Sequence, residues 1–201
     1  GNVTFTGATV SGAVSLTTNQ TGTLNLNGTT TSTAALTLAG GNVSLGGTLT
    51  STTVSTATGT SFTAGANTVN VTGNVTFADT TVTSTGSLVV TNNPSSVDLG
   101  NNSVGMLDIT GTVALALNTT ANVGNVRINN SATTTFASNV LTSGNFNLDG
   151  AGSLDFGTNN LTAGANVDFN NVTLTSPGTL TITGTGTLTP GSTTLAAVAI
   201  N

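Results

Sequence analysis

Short apolar–polar–apolar triplets return along this chain about every 20 residues, and that return narrows the possible folds more than any other feature. The clearest series begins at Val69, Leu88, Leu107, Val126, Phe146, Val167 and Leu188, with spacings of 19, 19, 19, 20, 21 and 21 residues. Within each triplet the alternation has period two, as in a strand with one buried face. Gly, Asn, Ser and Pro collect between triplets, where the chain has to turn. One such unit cannot bury its inward side chains alone, whereas stacked units share a continuous core.

Two further columns interleave with the first in constant order. One runs through Val3, Leu24, Val43, Phe62, Val82, Val104, Val123, Val140, Leu161 and Leu180. The other runs through Val14, Leu36, Val54, Val75, Val97, Leu115, Thr134, Leu154, Val172 and about Leu195. Towards the N-terminus the first column extends through Leu49, a Thr-only position near Thr30, and Val10. Three columns per repeat predict an all-β fold, a three-sided parallel β-solenoid of about ten coils with 19 to 21 residues each. No window sustains the i, i+3, i+4 stripe of an amphipathic helix. No linker or charge block divides the chain, so residues 1–201 read as a single solenoid domain. Asn92-Asn93-Pro94-Ser95-Ser96 is the one longer loop, expected to bulge from its coil because the spacing there stretches to 22 residues. Stacked Asn amide ladders are expected at the corners.

Composition then excludes several functions. Only six Asp and one Arg carry charge, the net charge is −5, and His and Cys are absent. A single Arg cannot line a phosphate-tracking groove, so nucleic acid is not an expected partner. Without Cys there is neither a disulfide framework nor thiol chemistry. No apolar run approaches the length of a spanning helix, so this segment is not expected to insert into a membrane. The chain opens at Gly1, which reads as a processed or excised segment with any export signal upstream.

The openings Gly1-Asn2-Val3-Thr4-Phe5, Gly41-Asn42-Val43-Ser44-Leu45, Gly73-Asn74-Val75-Thr76-Phe77 and Gly124-Asn125-Val126-Arg127-Ile128 give the repeats a style. That style resembles the β-strand-repeat regions of large bacterial secreted proteins, autotransporter passengers and filamentous-haemagglutinin-like exoproteins. Ser176-Pro177-Gly178-Thr179-Leu180-Thr181-Ile182 is similar to the autotransporter-associated repeat. The resemblance implies a right-handed parallel β-helix at a bacterial cell surface or outside the cell, in a stalk, filament or matrix.

Chemistry-bearing residues are few. Asp98 and Asp155 fall in one column three coils apart, ~14 Å on the usual strand spacing, too far for a working carboxylate pair. Asp149 and Asp168 lie about one coil apart with an offset. Tyr and Trp, which usually stack against sugar rings, are missing, and no catalytic, cofactor or metal site is expected. Asp149 to Asp155 could hold a calcium ion weakly, but reads first as a turn with Asp as turn-former. Arg127 stands one coil above Asp108 in the first column, which predicts a solvated ion pair between them. Thr-x-Thr pairs at Thr81 and Thr179 raise ice binding as a minor alternative, though Asn139 and Leu141 interrupt the face between them.

The expected function is a non-enzymatic segment of an extracellular filament, matrix or surface layer. Its ends are expected to stack head to tail, Val3, Phe5 and Val10 of one copy meeting Leu195, Val198 and Ile200 of the next, so the chain is its own partner. The alternative is an adhesin stalk or binding module recognising a glycan or host protein.

Overall fold

The computed structural model describes residues 3–6, 15–27, 30–77, 80–112, 114–120, 122–150, 152–170, 172–175, 178–190 and 197–200. Every regular element in them is a β-strand, and every strand pairing is parallel. The chain winds as a β-solenoid, each strand bonded to its counterparts in the neighbouring coils. Val, Leu, Ile and Phe from all three columns meet along the axis in one continuous buried core.

The first column keeps the register predicted from sequence. Strands Thr48–Thr56, Val69–Val71, Ser87–Val90, Met106–Gly111, Asn125–Asn130, Phe146–Asp149, Val167–Asp168 and Leu188–Thr189 follow one another, with Leu49 over Thr31 beneath. This unbroken ladder covers about 8 turns, fewer than the ten coils expected, because within the described residues it begins at Thr30 and ends at Thr189. Pairing register is the same for either hand of the coil, so the right-handed winding implied by the resemblance does not follow from it.

The other two columns need correction in five places, the first being Leu36, which pairs with Leu16 where Val14 was expected. Val82 pairs at the level of Asn102, not Val104, and Val123 pairs with Thr142, not Val140. Val97 pairs with Leu117 rather than Leu115, and Leu154 with Leu174 rather than Val172. All five errors are slips of two residues. Such a slip keeps the same side chains facing inward, so apolar identity cannot detect it. Polar residues inside the core disguise two of the five. Asn102 is buried, accepting from the Val82 backbone N–H at 2.9 Å and donating to the Leu99 carbonyl at 2.9 Å. Thr142 is buried too, its hydroxyl donating to the Gly124 carbonyl at 2.7 Å. The expected positions at Val10, Val14 and Leu195 lie outside the described residues.

Corners are built by Asn and Gly. Asn side-chain oxygens do not pair amide to amide as expected; each accepts a backbone N–H from the next coil. Asn125 Oδ1 takes the Asn145 N–H at 2.9 Å, Asn145 Oδ1 the Asn166 N–H at 3.1 Å, and Asn166 Oδ1 the Thr187 N–H at 2.9 Å. A turn's unpaired donor is thereby satisfied at every step. Beside this ladder Gly86, Gly105 and Gly124 stack so closely that a Cβ on Gly124 would collide with the Gly105 carbonyl oxygen. At the longer loop, Asn92 and Asn93 take φ of 62° and 64°, and Val97 pairs with Val75 across the 22-residue spacing.

Aromatic side chains tie neighbouring coils together near the C-terminal half. Phe136 meets Phe146 and Phe156 edge-on at centroid distances of 6.0 and 5.3 Å, and Phe146 meets Phe169 at 6.1 Å. These are the favoured geometries for aromatic pairs.

Candidate functional site

Charge gathers on the first column's outer face. Strand alternation puts Asp108, Arg127, Asn147 and Asp168 at successive central, outward positions of that face. Arg127 Nη1 lies 3.5 Å from Asp108 Oδ2 one coil below, and its Nε lies 3.5 Å from Asp149 Oδ2 one coil above. The triplet spacing aligns Arg127 with Asp108 and gives no sign of Asp149. Asp149 sits diagonally, opposite Asn129, and only the length of the Arg side chain lets it bridge both. Side-chain exposures of 46% for Arg127, 21% for Asp108 and 42% for Asp149 make this a solvated cluster. The other Asp108 oxygen, Oδ1, is buried without a hydrogen-bond partner.

The remaining described carboxylates act on their own turns. Asp98 Oδ1 accepts the Gly100 N–H at 2.8 Å and the Asn118 amide at 2.9 Å. Asp155 Oδ1 accepts the Gly157 N–H at 2.8 Å, and Asp168 Oδ1 the Asn170 N–H at 3.0 Å. This is the Asx-turn geometry, in which a short acidic side chain bonds the backbone two residues on. Asp98 pairs with Asn118 while Asp155 pairs with Thr135, so the two carboxylates are offset along the strand as well as separated along the axis. Asp149 and Asp168 are offset by two residues, Asp168 pairing with Asn147, and Asp149 is turned to Arg127. Among the described residues no group of three His, Cys, Asp or Glu could hold a metal ion. A shallow dish of ≈ 220 Å³ lies between Ser131, Thr133, Ser153 and Thr173, where the Thr133 and Ser153 hydroxyls bond each other at 2.8 Å.

Above Asp108 the same face becomes a block of planar polar groups. Its three rows are Asn125-Arg127-Asn129, Asn145-Asn147-Asp149 and Asn166-Asp168-Asn170. The rows below are Thr68-Asn70-Thr72 and Ser87-Val89-Thr91, hydroxyl-rich at the same outward positions. The spacing that aligns the central column in the sequence also aligns these flanks.

The expected end-to-end residues divide. Val3 and Phe5 lie in the strand Val3–Thr6, bonded to Leu16–Asn27, and Val198 and Ile200 in Ala197–Ile200, bonded to Thr179–Ile182. Both strands belong to the column that begins at Val3. Among the described residues each is paired on one side only. Val10 and Leu195 lie outside the described residues.

No family model matches the chain, and no curated protein or solved structure matches it either, so nothing in these comparisons points to an autotransporter or haemagglutinin repeat.

Proposed function

We propose that this chain is a non-enzymatic structural segment of an extracellular filament, matrix or surface layer, whose solenoid edges pair with those of further copies. The observation that carries the reading is the uniform parallel register, which gives the described terminal strands the same strand direction and the same alternation. Val3 and Phe5 align with Leu24 and Leu26, as Val198 and Ile200 align with Leu180 and Ile182. A parallel edge offers N–H and C=O groups to one further strand of like direction, the geometry of β-augmentation. Joining unlike edges makes a heterologous contact that does not close on itself, so the product is a filament.

A non-catalytic role accords with the carboxylates. Asp98, Asp155 and Asp168 are engaged in turns and Asp149 in an ion pair. An extracellular setting accords with the absence of Lys and the single Arg, which leave trypsin-like proteases one point of attack. Negative-stain microscopy of the purified chain at rising concentration tests the proposal. Thin filaments of uniform width are expected, and Val198→Pro, which removes a backbone donor from the edge strand, is expected to shorten them. Particles that stay single at every concentration would refute it.

A further inference from the structure

Three members of the block of planar polar groups on the first face, Asn129, Asn147 and Asn170, ask for an explanation that folding does not supply. The block's ladder residues Asn125, Asn145 and Asn166 each use Oδ1 to hold the next coil, leaving their Nδ2 donors unused. Locked by that bond, the amides are positioned in advance, and a ligand that meets them loses little side-chain freedom. Among the described residues the side chains of Asn129, Asn147 and Asn170 have no hydrogen-bond partner, and Asn129 and Asn170 are exposed. The solenoid does not need amides here. Thr68, Ser87 and Met106 occupy the matching flank of the lower coils, and Thr72, Thr91 and Thr110 the other. Three successive coils thus replace every hydroxyl or thioether with an amide, carboxylate or guanidinium, in a chain where Thr is the usual surface residue.

We propose that this face binds a neutral polysaccharide. The chemistry of the block selects that partner. Asn amides both donate and accept, Asp168 and Asp149 accept, and Arg127 donates, which suits a ligand of hydroxyl groups that do both. The two carboxylates and one guanidinium nearly cancel, so neither nucleic acid nor an acidic glycan is drawn to the face. The three rows themselves carry no aromatic or aliphatic side chain at an outward position, which leaves a protein partner without an anchor there. Three rows ~4.8 Å apart and five residues wide offer a patch of ~10 by 13 Å, the footprint of a short run of sugar units. Lacking an aromatic platform, one such patch binds weakly, and many copies along a polymer would bind by avidity. The proposal does not rest on end-to-end stacking.

Affinity electrophoresis tests it, with a soluble β-glucan, a mannan, a galactan and the anionic polygalacturonate cast into native gels. The unaltered chain should be retarded by at least one neutral polymer. The triple variant Asn129→Ala, Asn147→Ala, Asn170→Ala, which leaves the Oδ1 ladder intact, should lose retardation, with apparent Kd rising on the order of tenfold or more. The control Thr68→Ala, Asn70→Ala, Thr72→Ala on the lower coils should run like the parent, and circular dichroism should show all three folded alike. No retardation by any neutral polymer, retardation by polygalacturonate alone, or equal retardation of parent and triple variant would each overturn the proposal.

Discussion

Arg127 holds Asp108 and Asp149 from an exposed position, so its contribution to stability is that of a surface pair. Arg127→Ala is expected to cost under ~1 kcal/mol, and the difference should shrink as salt is raised, read by thermal melts at low and high ionic strength. Asp108 is less comfortable, with Oδ1 buried and unpartnered beside Val89 of the coil below. Gly124 is held by space, since a methyl group there meets the Gly105 carbonyl oxygen. Gly124→Ala is therefore expected to destabilise by ~1–3 kcal/mol, measured by urea titration, although its side chain would replace only hydrogen. The Arg127–Asp108 alignment was legible in the sequence because both sit at the centre of well-spaced triplets. Asp149 was not, because a diagonal contact depends on side-chain reach, and Gly124 was not, because a missing atom leaves no pattern in an apolar count.

Strands of this fold stand or fall by their inward pairs. Phe136 is buried and touches Phe146 and Phe156 on adjoining coils, so Phe136→Ala is expected to cost ~3–5 kcal/mol, with loss of cooperativity in the denaturation curve. Asn166→Ala would leave the Thr187 N–H and hydroxyl without their acceptor, an expected loss of ~1 kcal/mol in the same assay. The first column was legible strand by strand from Val69 to Phe169, where each turn keeps an apolar pair at a spacing of 19 to 21 residues. The second and third columns slipped where the chain buries Asn102 and Thr142, or where two apolar residues two apart competed, as Leu115 with Leu117 and Val172 with Leu174. Period-two alternation fixes which face is inside. It does not fix which of two inward positions meets a given neighbour, and there hydrogen bonds decided.

At the scale of the whole molecule, each coil touches only the next, and stability accrues as a sum of coil and interface terms along one axis. Cleavage by trypsin can occur only after Arg127, which lies within the paired strand Asn125–Asn130. The folded chain is expected to survive digestion at 25 °C and to give two fragments once urea opens that strand; rapid cutting without denaturant would mean the strand opens on its own. The same one-dimensional logic makes a free edge the natural place for another copy. Solution X-ray scattering over a concentration series tests that claim most directly. If copies join edge to edge, particle length should grow with concentration in steps of about one solenoid, at least the ~40 Å that the 8 turns of the first ladder span at ~4.8 Å each, while the cross-sectional radius of gyration stays constant. A length that does not change, or growth that thickens the cross-section, would contradict it.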